Sequence, residues 1–141
     1  MPFILDTNIA IHLRDGDVRV TREVGALRDA VMISVITRVE LEGGVYREPA
    51  HAAVRRSRLD VMLAALPCLA FDEAAAQRYG AIVAHSGYSR RNLLDRMIAA
   101  QALLHGATLI TLNEADFADI PELRVIRSEE RRVGKECRSR W

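Results

Sequence analysis

Short apolar runs alternate with amphipathic stretches along this chain, and that alternation restricts the possible folds more than any other feature. The first run, 3–5, ends at Asp6, a residue type that caps helices, and helical spacing begins at Ile9. Further runs predict strands at 31–35, 69–71, 108–111 and 123–126. Strands separated by helices pair in parallel, with helices on both faces. We therefore predict an α/β fold of three layers, α/β/α, around a central, mainly parallel sheet of four or five strands.

The C-terminal segment has a different composition from the rest of the chain. Residues 128–141 contain the only Lys and the only Trp, and they have no apolar period. The segment resembles a vector-derived tail, so we divide the chain into one domain, 1–127, and a vector-derived or disordered tail, 128–141. A native basic tail is the alternative. Without its five basic and three acidic groups, 15 basic and 16 acidic residues remain, so net charge gives no support for nucleic-acid binding.

The sequence shows neither a targeting signal nor a cysteine pattern typical of a metal site or a disulfide framework. The sequence has neither a long apolar run nor the basic N-terminal region of a secretory signal, so we expect a cytoplasmic protein that does not contact a membrane. Cys68 and Cys137 lack a histidine at metal-ligand spacing, which argues against a zinc site or a disulfide framework. Cys68, between Pro67 and Leu69, is expected to be buried.

Acidic residues follow several of the predicted strands. Asp6 comes directly after the first, Glu40 lies on the helix after the second, and Asp95 is near the start of a later helix. Asp116 follows the fourth strand by five residues. Carboxyl ends of parallel strands meet at one edge, so these four side chains should converge. Converging like charges need compensation, and oxygen-only ligands favour a hard cation such as Mg²⁺, which Mn²⁺ can replace. Such an ion can activate water for attack on a phosphodiester.

Each of these acids also has an alternative interpretation. Asp6 could merely cap its helix, and Asp95 could be a first-turn residue favoured by the helix dipole. Glu42 competes with Glu40, because side chains two positions apart on a helix point about 200° from one another. Gly44, four residues after Glu40, would leave space on the same face and favours Glu40. The fourth position has three nearby alternatives to Asp116, namely Glu114, Asp119 and Asn113.

Segments spanning about residues 3 to 126 resemble the PIN-domain ribonucleases, especially the VapC-like toxins of toxin–antitoxin pairs. They are, in order, FILDTNIAIHL, ISVITRVELEGGV, NLLDRMIAAQALLHGATLITLNEADF and IPELRVI. In that family the acids of L-D-T-N, E-L-x-x-G and D-x-x-I-A-A hold the metal, and the resemblance assigns this role to Asp6, Glu40 and Asp95. A fourth acid comes from T-x-N/D-x-x-D-F. Its first acidic position is Asn113 here, so the role would pass to Asp116, and a second metal position stays open.

Polar residues near the motif acids are expected to support the site. Thr7, Asn8 and Thr111 stand at matching motif positions, and we expect Thr111 to contact a carboxylate or a metal-bound water. Asn113 belongs to the same supporting group. In the loop before the Asp95 helix, Arg90 and Arg91 are candidate RNA phosphate contacts, although an ordinary solvated loop is an equal alternative.

The resemblance implies a hydrolase, a Mg²⁺- or Mn²⁺-dependent endoribonuclease that acts as the toxin of a type II toxin–antitoxin pair. It further implies a homodimer with a PIN-like fold, tRNA or other structured RNA as substrate, and a cognate VapB-like antitoxin. A catalytically weak PIN-like module that binds RNA or protein is the main alternative, and a processing nuclease without antitoxin is another. A haloacid-type hydrolase would need an Asp at position 8, and P-loop enzymes need a core Lys that residues 1–127 lack.

Overall fold

The computed structural model describes residues 1–128. Strands and helices alternate through them, beginning with β1 (Phe3–Leu5) and its helix α1 (Thr7–Arg14). The other strands are β2 (Val31–Ser34), β3 (Cys68–Leu69), β4 (Thr108–Thr111) and β5 (Val125–Arg127). The other helices are α2 (Val18–Gly25), α3 (Val35–Arg47), α4 (Ala52–Ala65), α5 (Glu73–Ser86) and α6 (Leu93–Leu104), with 3₁₀ turns at Pro49–His51 and Glu114–Phe117.

The five strands form one parallel sheet in the order β3-β2-β1-β4-β5. The first strand in the chain is therefore the central one, and Leu5 pairs with Ile33 on one side and Ile110 on the other. From β1 the chain builds one half of the sheet through β2 and β3 and then crosses over to build the other half. Ligand sites in such sheets lie where the strand order reverses, at the carboxyl ends. Here that position lies between β1 and β4, directly after Leu5.

Two apolar clusters cover the two faces of the sheet. Ile4 of β1 is fully buried in one cluster with Ile82 of α5 and Ile98 of α6. The next residue, Leu5, is fully buried in the other cluster, which contains Ile9 of α1 among residues from α2, α3 and α4. Successive side chains of a strand point to opposite faces, so one strand supplies both cores. The predicted three-layer α/β/α fold with a parallel sheet is confirmed.

Element boundaries differ from the prediction at several points. Helix α3 begins at Val35 because Ser34 caps it, its Oγ accepting a hydrogen bond from the Ile36 N–H at 2.9 Å. Strand β3 is a two-residue edge strand that starts at Cys68. An edge strand this short receives little cover, so Cys68 is exposed and its predicted burial is wrong.

The last strand also ends one residue later than predicted. Strand β5 continues to Arg127, and Ser128 is still buried, its N–H donating to the Thr111 carbonyl at 2.7 Å. The rest of the predicted tail lies outside the described residues. Within residues 1–128, no helix is both long enough and apolar enough to cross a membrane.

Candidate active site

Asp6 occupies the reversal point of the sheet and is fixed there from two sides. Its Oδ1 accepts a hydrogen bond from the Ile9 N–H at 2.9 Å, and its Oδ2 accepts one from the Thr111 hydroxyl. The backbone N–H of Asp6 donates to the Ile110 carbonyl at 3.0 Å. The side chain therefore caps α1 and also lines a cleft. The two interpretations of Asp6 are compatible because each carboxylate oxygen has a second lone pair.

Asp95 is the second carboxylate of this cleft, carried on the first turn of α6. The pKa of Asp95 is raised to about 6, chiefly by burial and in addition by the charges of Asp116 and Glu40. The pKa of Asp6 is also raised to about 6, chiefly by burial. The hydrogen bonds from Thr111 and Ile9 lower this pKa, and the charges of Asp95 and Asp116 raise it. Each acid is thus affected by others of the predicted set. The structure brings together Asp6, Glu40, Asp95 and Asp116, which we call the acidic cluster.

Glu40 and Glu42 point to different surroundings, as helical geometry requires. Glu40 lines the cleft, and its Oε1 accepts a hydrogen bond from the Thr7 hydroxyl at 2.7 Å. Glu42 instead pairs with Arg56 at 2.7 Å. Of the two, Glu40 therefore belongs to the cleft. The space predicted next to Glu40 at Gly44 is filled, since a Cβ on Gly44 would lie 3.3 Å from Nη1 of Arg14.

Asp116 is held on the 3₁₀ turn after β4. The side-chain amide of Asn113 donates to Oδ2 of Asp116 at 3.1 Å, and the Asn113 N–H donates to the Thr111 hydroxyl at 3.1 Å. Of the three alternatives, Asp119 is bound to Arg96 at 2.8 Å, Glu114 is exposed, and Asn113 orients Asp116. Asn113 and Thr111 therefore form a chain of hydrogen bonds from Asp116 to Asp6.

The cleft lined by Asp6, Glu40 and Asp95 has a volume of about 1350 Å³ and carries charges of both signs, and Asp116 lies outside its lining. The predicted residues Thr7, Asn8, Arg90 and Arg91 line it, with Arg90 and Arg91 exposed. It also contains four arginines that the sequence analysis did not single out, namely Arg14, Arg19, Arg47 and Arg55. Nothing in the sequence set these four apart from the other arginines, because all 15 Lys or Arg positions of 1–127 are Arg.

The acidic cluster has the donor chemistry of a hard-cation site. Its ligands are oxygen atoms, and a bound cation would offset the burial and repulsion that raise the pKa of Asp6 and Asp95. Within residues 1–128, no group of three Asp, Glu, His or Cys side chains could hold an ion directly. Mg²⁺ is commonly held by one or two carboxylates and keeps several waters. The cluster therefore fits an ion bound directly by one or two carboxylates and otherwise through water.

Comparison with known proteins agrees with this geometry. The PIN domain family matches residues 3–123. The chain belongs to this family. Ribonuclease VapC2 of Rickettsia felis is 30% identical over 130 residues, covering 87% of this chain and 95% of that protein. This agreement confirms the PIN-domain and VapC resemblance found in the sequence.

Solved structures give the same result for the fold. VapBC2 from Rickettsia felis, bound to a DNA fragment from the promoter, superposes with a TM-score of 0.79 at 27% identity, covering 90% of this chain and 98% of that chain. DNA-bound VapBC from Salmonella typhimurium superposes with a TM-score of 0.77 at 26% identity, with the same coverage of both chains. The α/β/α arrangement described above is therefore the PIN-domain fold.

Arg96 is a residue of this PIN domain that the sequence analysis missed. It is 3% exposed, and its guanidinium donates to the Gly87 carbonyl and to Asp119 at 2.8 Å. Arg96 thereby joins the loop before α6 to the segment that follows the 3₁₀ turn of Asp116. These two regions flank Asp95 and Asp116 in the chain. The available signal was a basic residue one turn before Ala99 and Ala100, on a helix whose only other polar residues are Asp95 and Gln101.

Thr111→Val tests whether the hydroxyl supports the acidic cluster. The substitution keeps the β-branched shape but removes the donor to Asp6 and the acceptor for the Asn113 N–H. Supporting hydrogen bonds of this kind contribute roughly 10–100-fold to metal affinity or activity. We expect the Mg²⁺ concentration for half-maximal RNA cleavage to rise within that range, while Thr111→Ser behaves like the parent. Identical Mg²⁺ titrations for Thr111→Val and the parent would exclude this role.

Proposed function

We propose that this PIN domain is a Mg²⁺- or Mn²⁺-dependent endoribonuclease and the toxin of a type II toxin–antitoxin pair. The observation that carries the proposal is the acidic cluster, in which Asp6 and Asp95, both with a pKa raised to about 6, face one cleft. Arginines line the same cleft and match the charge of a phosphodiester backbone. The family and the VapC2 relative, whose name is that of a ribonuclease, support the same activity.

The roles of the residues follow from their contacts. Asp6 and Asp95 would hold the ion, with Glu40 and Asp116 contributing directly or through water. When bound, the ion supplies an activated water and neutralises charge on the phosphate. Glu40 has Oε1 bound by Thr7, which leaves Oε2 to accept a proton from water. Attack on phosphorus breaks the bond to the leaving ribose oxygen and gives one phosphate end and one hydroxyl end.

Metal-dependent cleavage of RNA tests the proposal. Purified protein, freed of any bound antitoxin, is incubated with a pool of tRNA and structured RNA in Mg²⁺, in Mn²⁺ and in EDTA. We expect discrete fragments with either ion and none in EDTA. RNA binding without fragments in any condition would favour the alternative of a non-cutting RNA-binding module.

Asp116→Asn is expected to reduce cleavage less than replacement of Asp95. Asp116 lies on the turn outside the sheet, and the amide of an introduced Asn still offers an oxygen to a metal-bound water. We expect a loss of about 10-fold, the lower end of the range for residues that support a metal site without binding the ion directly. Cleavage rates at saturating Mg²⁺ measure it. A loss equal to that of Asp95→Asn would make Asp116 a direct ligand.

A VapB-like antitoxin and a second copy of the chain are the proposed protein partners. The VapBC complexes of the same fold support the first. A partly apolar surface on α3 and α4 also supports it, since Val39 and Tyr46 on α3, and Val54 and Val61 on α4, are all more than half exposed. Residence in the cytoplasm stays a prediction. A small antitoxin gene next to this one would argue against the alternative of a processing nuclease without antitoxin.

A further inference from the structure

We infer that Arg47, with Arg14 in the wall beside it, forms a second phosphate-binding subsite of the cleft, in addition to Arg90 and Arg91. The inference rests on the proposed nuclease function and adds to it. An RNA substrate would then contact the cleft through more than one of its phosphates.

The face of α3 that borders the cleft carries the first argument. Glu40, Gly44 and Arg47 follow one another at helical spacings of four and three, so they share one face, and Glu40 and Gly44 line the cleft together with Arg47. Seven residues correspond to about 10 Å along a helix axis. Arg47 therefore lies well away from Glu40 along the cleft. Arg90 and Arg91 line the same cleft from a different chain segment, the loop that leads to Asp95.

Arg14 forms the wall beside Arg47. It is only 6% exposed, and the Asp15 carboxylate holds it through Nε at 3.0 Å and Nη2 at 2.9 Å. Its Nη1 occupies the position above Gly44, 3.3 Å from where a Cβ would be. The missing side chain at Gly44 thus allows a guanidinium to enter the cleft wall. Asp15 fixes the orientation of Arg14, so Arg14 shapes the wall of the cleft next to Arg47.

Charge pairing within this part of the cleft carries the second argument. Its acids already have partners, since Glu48 accepts from Arg55 at 2.7 Å and Asp15 accepts from Arg14. Arg55 also donates to the Gly44 carbonyl at 3.0 Å. In contrast, Arg47 is exposed, and its side chain forms no hydrogen bond or ion pair with any other residue in 1–128.

The side chains of Arg90 and Arg91 are likewise exposed and form no hydrogen bond or ion pair with any other residue in the described part of the chain. Unpaired guanidiniums from two different segments of one cleft offer more than one contact to a polyanion, which carries a charge at every phosphate. The arginines that already have partners shape the cleft, and the unpaired ones are available for phosphates. Arg47 is therefore the residue whose removal should affect RNA binding without affecting the acids.

Arg47→Ala, Arg47→Lys and the control Arg78→Ala test the subsite. Arg78 is likewise exposed, but it lies on α5 and not in the cleft. The probe is a fluorescein-labelled RNA hairpin with single-stranded extensions at both ends. Fluorescence anisotropy in EDTA gives Kd over a range of NaCl concentrations, and single-turnover cleavage in Mg²⁺ gives the rate at saturating protein.

For Arg47→Ala we expect Kd to rise about 5–10-fold and the slope of log K against log salt to fall by about one, as for a single lost phosphate contact. The saturated cleavage rate should stay within about twofold of the parent, because the acids are untouched. Arg47→Lys should restore the salt slope, and Arg78→Ala should leave both quantities unchanged.

Two results would overturn the subsite, and they are distinguishable from one another. A parent that binds and cleaves, with an Arg47→Ala variant of identical Kd and salt slope, would remove Arg47 and leave the proposed nuclease standing. A parent that neither binds nor cleaves the hairpin or the RNA pool would contradict the proposed function and the subsite together.

Discussion

Asp95→Asn is expected to abolish most RNA cleavage while leaving the fold intact. Asp95 lines the cleft beside Asp6, and the substitution removes one of the negative charges that would hold the ion. A bound ion contributes several kcal/mol of charge stabilisation, and each 1.36 kcal/mol is a factor of ten, so we expect a loss of at least about 100-fold in kcat/KM. Circular dichroism and the thermal midpoint should show a folded protein.

Two glutamates on α3 provide the matched control for this prediction. Glu40→Gln removes a carboxylate from the cleft, and we expect a large loss there too. Glu42→Gln removes one that pairs with Arg56 outside the cleft, so cleavage should stay within about threefold of the parent, the scale of a minor structural change. Full activity in Asp95→Asn and Glu40→Gln, with unchanged dependence on Mg²⁺, would mean that the acidic cluster is not the active site.

The sequence predicted the order of the elements better than their ends. The apolar run of β1 has to be buried on both faces, as Ile4 and Leu5 are, so a strand in a sheet covered on both sides follows from its apolar side chains. The edge strands are specified more weakly, because little packs against them. The predicted start of β3 was therefore displaced, and Cys68 proved to be exposed.

The candidate site divides in the same way. Positions directly after strands, such as Asp6, are fixed by the backbone and could be predicted. Contacts between helices could not, because they depend on how the layers pack. The Thr7–Glu40 hydrogen bond, the entry of Arg14 over Gly44 and the two bonds of Arg96 all join segments that the sequence pattern leaves unrelated.

Asp6→Asn is expected to stabilise the metal-free protein near neutral pH. Burial raises the pKa of Asp6 from 3.8 to about 6. Between these values the folded state binds more protons than the unfolded state, so stability of the metal-free parent falls as pH rises from about 4 to 6 and stays low above that. At 1.36 kcal/mol per pKa unit, the penalty at pH 7.5 is at most about 3 kcal/mol. Asn carries no such penalty and still caps α1.

The measurement is the thermal midpoint of the metal-free Asp6→Asn variant and the parent at several pH values, with exposed Glu114→Gln as the control. At pH 7.5 we expect Asp6→Asn to melt several degrees higher, at about 2–4 °C per kcal/mol, and at pH 4 the gap should close. Saturating Mg²⁺ should stabilise the parent and not the variant, because only the parent offers both carboxylates. The opposite result would be a metal-free parent that melts at a higher temperature than Asp6→Asn at pH 7.5. The hydrogen bonds from Ile9 and Thr111 would then outweigh the cost of burying the charge, and Asp6 would be a structural cap rather than a cation ligand.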